Sequence, residues 1–358
     1  MGHFYQGNLR MKNMTGNSNG DIHCRIEGRA GCITLNRPKA LNALTHDMCL
    51  EMEAALLAWV DDTAVAHVII DAAGERAFCA GGDISRLFAA GKAGDDESAR
   101  RFWRDEYRLN ALIDGYPKPY IAVMHGFVMG GGVGLSAHGS HRIVTDSTRI
   151  AMPECAIGLV PDVGGSLLLA RAPGRLGECL GLTGYRMRAA DAIYAGFADY
   201  YVPEAALSEL VAVLCEADDI ETAIRTASSD DGGSVLAANA AAIDAVFSGD
   251  DVAVMIGALA EHDGLNAALP RLLTSMQTAS PLAMAAAAAV IAAVRLAPNI
   301  KTALEMEFRF TSRSMKDSDF LEGIRAAIID KDHAPKWRHS SVDDVPPELV
   351  AALLAPLE

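Results

Sequence analysis

Between Tyr120 and Ser166 the chain reads YIAVMHGFVMGGGVGLSAHG and, a little later, AMPECAIGLVPDVGGS. An apolar strand-like run leads into three successive glycines, Gly130, Gly131 and Gly132, which open a helix-like segment. Two acids follow, Glu154 and Asp162, each introduced by a proline. A helix start without side chains presents free backbone N–H groups at its positive dipole end, where a partially negative oxygen can sit. That is half of an oxyanion hole, and a strand feeding such a helix predicts an α/β architecture.

The chain has 358 residues, 51% of them hydrophobic and 22% charged, enough for one substantial core and a second unit. A membrane span needs roughly 20 uninterrupted apolar residues. The longest run, Leu282 to Val294, is shorter and mostly alanine, and predicts a buried helix. A net charge of −15 speaks against nucleic acid or an anionic membrane as a non-specific partner. Seven cysteines, none in a C-x-x-C pair, predict reduced and mostly buried thiols in a cytoplasmic protein, with no zinc. Residues 1–20 contain no acid and several Asn and Gly; they read as a disordered or tag-like segment, or as an alternative start ahead of Met14. A mitochondrial presequence needs an amphipathic helical face that this stretch lacks.

The ordered part begins with a predicted hairpin, strands 22–26 and 32–35 around a turn at Glu27 to Gly31. Thr45 is placed to cap a helix over 46–60, whose Met48, Met52, Leu56 and Trp59 recur at helical spacing. A buried strand is expected at 67–71, then a loop, GERAFCAGGD, at 74–83. A helix from Ser98 to Gly115 carries Glu106 toward its apolar stripe of Phe102, Leu109, Leu112 and Ile113; an inward acid is either paired or functional. Two short strands at 142–146 and 149–153 are joined by a tight Ser147-Thr148 turn, and one more strand follows at 198–202. The α/β part is therefore set at 21–204, an Ala- and Leu-rich helical region at 205–340 and a tail at 341–358. Lys331, Lys336 and Arg338 form a basic cluster suited to phosphate contact or simply to solvation.

Gly132-x-Gly134-x-x-Ala137 formally matches the dinucleotide fingerprint but lies mid-chain behind further glycines, a weak match. No Gly-Lys precedes Ser or Thr, so there is no P-loop, and neither Ser136 nor Ser166 fits G-x-S-x-G. Two glycine-terminated segments remain, Cys79-Ala-Gly-Gly-Asp83 and Met129-Gly-Gly-Gly-Val133. Each can present a bare N–H; two meeting at one point would polarise a carbonyl. The plainer reading is tight turns and close helix packing. Glu154 and Asp162 sit on proline-constrained turns in apolar surroundings, where neighbouring acids have their pKa values pushed apart. The plainer alternative makes each a helix cap. Cys79 and Cys155 beside these motifs raise the option of a thiol nucleophile, but no activating His lies near them in sequence.

Taken in order, AFCAGGDI (77–84), DEYRLN (105–110), KPYIAVMHGFVMGGGVGLS (118–136), AMPECAIGLVPDVGG (151–165), GLTGYRM (181–187) and EGIRAAIIDKDHAPKW (322–337) resemble the crotonase (enoyl-CoA hydratase/isomerase) superfamily. Within it the resemblance is to the 3-hydroxyisobutyryl-CoA hydrolases, over roughly residues 21 to 340. It implies spiralled β-β-α turns forming two sheets, followed by helices that help cover the site. It further implies Gly82 and Gly131 as the two oxyanion-hole amides, Glu154 as main acid/base, Asp162 as its partner and Glu106 as a substrate-pocket residue. The implied substrate is a short acyl-CoA thioester, so that coenzyme A enters with the substrate and no separate cofactor or metal is needed; oligomers and valine breakdown are common in the family, and a mitochondrial location is the alternative in a eukaryote. The hydratases place a catalytic glutamate three residues beyond the second glycine of the triple, where this chain has Gly134. With that acid missing, addition of water across C=C weakens against thioester hydrolysis.

Overall fold

A computed structural model describes residues 20–249 and 251–357. Among the described residues nine strands form two sheets: β1 (Ile22–Glu27), β2 (Ala30–Leu35), β3 (His67–Ala72), β4 (Ala77–Cys79), β5 (Tyr120–Met124), β6 (Phe127–Met129), β7 (His141–Val144), β8 (Arg149–Ala151) and β9 (Tyr200–Tyr201). The larger sheet has the order β1-β2-β3-β5-β7-β9 and the smaller β4-β6-β8. Only the β1–β2 hairpin is antiparallel. Each circuit of the chain lays one strand in the large sheet, the next in the small one, then returns through helix. This is the mixed α/β, two-sheet spiral implied by the motif order.

Side chains of the large sheet alternate between two interiors. Ile33, Val68, Ile70, Ala122 and Val144 face the main core, while Cys32, Ile69, Ile121, Val123 and Ile143 face the helices Leu207–Glu216 and Ile220–Ala227. A parallel sheet covered on both sides needs continuous apolar strands, which is why HVII and YIAVM carry no alternation. Between β5 and β6 the chain turns into the small sheet at Gly126 (φ +56), where an added Cβ would stand 2.3 Å from the Arg76 carbonyl oxygen.

Three expectations change in detail. The hairpin turn is only Gly28-Arg29, because β1 and β2 run closer to it than expected. The loop at 74–83 contains β4, whose three buried residues AFC are too short to signal a strand. The strands at 141–144 and 149–151 are no hairpin: β7 pairs with β5 in the large sheet and β8 with β6 in the small one. Thr145 and Thr148 hold the bend between them, the Thr145 N–H donating to Thr148 Oγ1 at 2.7 Å.

Thr45 caps the helix His46–Val60 by accepting from the Met48 N–H. After β9 the described residues are helical or irregular. The alanine-rich helix Pro281–Leu296, capped by Ser280, lies buried against the helices Gly165–Arg171 and Leu176–Thr183, small side chains allowing the close approach. Among the described residues no single helix is long and apolar enough to cross a membrane. In the tail, Arg338 turns back to Asp319 and to the Lys316 carbonyl, while Lys331 and Lys336 are exposed.

Candidate active site

One cavity of about 100 Å³ is lined by Gly82, Gly131, Glu106, Glu154 and Asp162 together, with Ile84, Leu87, Phe102, Trp103, Leu159 and Phe320 supplying apolar walls. All five sequence-predicted site residues therefore converge, although they come from four separate stretches.

The glycines are there because other groups occupy the space. A Cβ at Gly130 would stand 2.8 Å from Glu154 Oε1, one at Gly131 2.8 Å from Glu106 Oε1 and 3.4 Å from the Gly82 nitrogen, and one at Gly132 2.3 Å from the Cys79 carbonyl oxygen. So the start of the helix Gly131–Ser136 is pressed edge-on against the 79–82 segment and both glutamates. Among the described residues neither the Gly82 N–H nor the Gly131 N–H donates a hydrogen bond. Two free amides that close together can receive one carbonyl oxygen.

Glu154 opens a short 3-10 turn, Glu154–Ile157, closed by Gly158 at φ +75. The C-terminal helices clamp that turn. Gly323 and Gly158 allow backbone contact with Ile157 and Asp319, and the Ser280 N–H donates to the Cys155 carbonyl. Trp103 and Phe320, ring centroids 5.9 Å apart, join the helix Asp96–Asp114 to the same C-terminal unit across the cavity wall.

Asp162 is not a helix cap. Its carboxylate accepts from the Tyr107 hydroxyl at 2.8 Å, while its backbone carbonyl accepts from the Gly165 N–H. The helix Gly165–Arg171 is capped instead by Glu307, which accepts from the Gly164 N–H at 2.8 Å, the Ser166 N–H at 3.0 Å and the Ser166 hydroxyl. Val163, between Asp162 and Gly164, has φ +54, costly for a β-branched residue, on the order of 1–3 kcal/mol. His138 Nε2 donates to its carbonyl at 2.8 Å and helps hold the turn.

Four buried acids share this region. Burial raises Glu106 and Glu154 well above the usual carboxylate range, and the charge of Asp162 raises both further. Burial lifts Asp162 to about 7, held from rising further by the Tyr107 hydrogen bond. Burial and mutual repulsion therefore oppose two negative charges on the Glu154–Asp162 pair near neutrality, and the Tyr107 hydrogen bond favours a single charge on Asp162. Burial likewise raises Glu307 to about 8. An unfolded glutamate ionises near 4.5, so between that pH and about 8 the unfolded chain sheds a proton the folded chain keeps, and stability falls as pH rises. Glu307→Gln is expected to flatten that decline by one proton when denaturation midpoints are compared at pH 5 and 8; parallel curves for variant and wild type would contradict it.

The thiol option fails on geometry. Cys79 and Cys155 are buried, and their thiols donate to the carbonyls of Gly81 and Gly181. Burial pushes Cys79 up to about 12 and Cys155 higher still. Tyr107, Asn110, His138 and Glu307 were not singled out in sequence. Tyr107 and Asn110 were visible as polar neighbours of Glu106 inside DEYRLN, and Glu307 as an acid on the inward stripe of Leu304 and Phe310. His138 left no signal.

A fold of two linked sheets with paired free amides opposite buried carboxyls defines the crotonase class, and residues 30–354 match the model of the enoyl-CoA hydratase/isomerase family. The chain belongs to that family and is an enzyme of its type. It is 40% identical over 347 residues to the mitochondrial 3-hydroxyisobutyryl-CoA hydrolase of Xenopus laevis, covering 94% of this chain and 89% of that one. To the Homo sapiens protein of the same name it is 38% identical over 332 residues, 90% and 85% of the two chains. Among solved structures it resembles an enoyl-CoA hydratase from Rhodobacter sphaeroides 2.4.1 (49% identity, TM-score 0.89, 94% and 98% covered) and a carnitinyl-CoA dehydratase from Mycobacterium thermoresistibile (44%, TM-score 0.90, 95% and 98%). The expected cytoplasmic location finds no support in these relatives, of which the vertebrate ones are mitochondrial. Residues 1–19, for which the sequence offers a tag-like or disordered start, lie outside the described residues.

Proposed function

We propose that this enzyme hydrolyses a short 3-hydroxyacyl-CoA thioester, 3-hydroxyisobutyryl-CoA in the first instance, to the free acid and coenzyme A. The observation that carries this reading is the pair of undonated amides at Gly82 and Gly131 lining one cavity with the buried carboxyls of Glu154 and Asp162. The thioester oxygen sits between the two amides, which stabilise the negative charge it gains when the carbonyl is attacked. A proton passes from Glu154 to Asp162. Glu154 then takes a proton from water as the water oxygen bonds to the carbonyl carbon, or itself attacks to give an anhydride that water opens. The C–S bond breaks, and Asp162 returns its proton to the departing thiolate. Glu106 receives the hydroxyl at the acyl end. The substrate carries its own coenzyme A, and no step calls on a separate cofactor or a metal.

The hydratase reading is favoured by one observation, the 49% identity to a protein of that name. Against it stands position 134. A Cβ there would meet Asn110 Nδ2 and Val163 Cβ at 2.7 Å each, so the space for a second catalytic carboxylate is already filled. Free-thiol release from a panel of short 3-hydroxyacyl-CoA esters, run beside loss of enoyl-thioester ultraviolet absorbance, separates the two. Thiol release without hydration is expected; hydration without thiol release would overturn the proposal.

Tyr107→Phe removes the bond that stabilises the charge on Asp162. The acid limb of the kcat/KM profile for thiol release is expected to move about one pH unit upward, because the pair then gives up its first proton at higher pH. An unmoved limb would contradict the shared-proton arrangement.

A further inference from the structure

Asn110 lies one helical turn beyond Glu106 on the helix Asp96–Asp114 and is fully buried. Neither its amide nitrogen nor its amide oxygen has a hydrogen-bond partner among the described residues, and the same holds for Glu106 Oε1. A buried polar atom left unpaired costs about 1–3 kcal/mol, so three of them in one place call for an occupant. Side chains at i and i+4 share one helix face with Cβ atoms about 5–6 Å apart, which brings their polar ends within reach of a common partner. A water in that place would meet an amide donor, an amide acceptor and a carboxyl oxygen, within the two to four partners a buried water needs.

The facing wall is backbone without side chains. It is the glycine edge of the helix Gly131–Ser136, where Gly131 lies against Glu106 Oε1 and Gly134 against Asn110 Nδ2. Both polar side chains are pressed on bare backbone there, and the free Gly131 N–H on that edge is the one the thioester oxygen takes in the proposed reaction.

We infer that Asn110 is a positioning residue for acyl recognition: through one buried water it fixes the Glu106 carboxyl, leaving the other carboxyl oxygen for the substrate hydroxyl. The inference rests on the hydrolase reading and on Glu106 as the acyl-end contact. It assigns Asn110 no contact with the thioester. Its effect appears as a preference for acyl chains that bear a hydroxyl, because an unfixed Glu106 rewards that hydroxyl less, while the attack on the carbonyl proceeds as before.

The test compares thiol release from 3-hydroxyisobutyryl-CoA and isobutyryl-CoA, which differ by one hydroxyl, in wild type, Asn110→Leu, Asn110→Ala and Asn110→Ser. Leu keeps the volume and removes both polar atoms; Ala removes them without crowding; Ser restores a hydrogen-bonding group. Asn110→Leu and Asn110→Ala are expected to lower kcat/KM for the hydroxylated ester about 10- to 100-fold and to leave the other within about threefold. Asn110→Ser is expected to recover most of the preference, and Asn110→Leu is expected to add little in a Glu106→Gln background. An equal loss on both esters, or an unchanged ratio in whichever apolar variant folds, overturns the assignment. Absence of thiol release by the wild type, seen without any variant, overturns the hydrolase reading and this inference with it.

Discussion

Glu154→Gln is expected to lower kcat for thiol release by roughly a thousandfold or more while the affinity for the acyl-CoA stays within a few fold. Gln keeps the volume and both hydrogen-bonding atoms, so the 3-10 turn and its clamp by Gly323, Gly158 and Ser280 remain. What disappears is a group that can accept the proton of water or attack the carbonyl; such groups contribute about 10²–10⁴-fold. The carboxyl proton that the proposed route passes to Asp162 is missing as well. Pre-steady-state thiol release set against calorimetric binding of the ester separates the terms. A variant hydrolysing at near wild-type rate would remove Glu154 from the chemistry.

Gly132→Ala is expected to cut activity strongly, although residue 132 contributes neither free amide. Its Cβ would stand 2.3 Å from the Cys79 carbonyl oxygen and 2.9 Å from Cys79 Cβ. Both obstacles belong to β4 and its buried end, so relief comes only by sliding the glycine helix away from the 79–82 segment. That motion separates the Gly82 and Gly131 amides, and losing one donor of such a pair costs about 10²–10³-fold in kcat. Thermal unfolding should also fall by several degrees, since overpacking costs about 1–3 kcal/mol. Gly257, whose added Cβ meets nothing within 4 Å, serves as the control, and its Ala variant is expected to keep full activity. Equal activities of the two variants would show that the spacing of the segments does not matter.

Much of this was legible in the chain. The glycine triple after an apolar strand, the two proline-introduced acids and the inward Glu106 pointed to residues that line one cavity. What stayed hidden depends on contacts between distant segments. The alternative of Asp162 as a helix cap stood open because it precedes a helix, and only the fold shows Glu307, on another helix altogether, making those bonds. The strands flanking Ser147-Thr148 looked like a hairpin because the turn is tight, and only three-dimensional pairing sends them to different sheets. β4 is three residues long and takes its conformation from β6, so its own composition had little to announce. Cys32 and Cys215 show the same limit: no spacing rule joins them, yet their sulfurs lie 3.9 Å apart with Glu27 beside them.

The central claim is that two side-chain-free amides hold the thioester oxygen while the neighbouring carboxyl pair attacks beneath it. A crystal structure of the Glu154→Gln variant soaked with 3-hydroxyisobutyryl-CoA tests it most directly. The thioester oxygen is expected about 3 Å from both the Gly82 and Gly131 nitrogens, with residue 154 over the carbonyl carbon and Glu106 at the hydroxyl. A bound ester whose oxygen touches neither amide, or whose carbonyl lies away from residues 154 and 162, would contradict it.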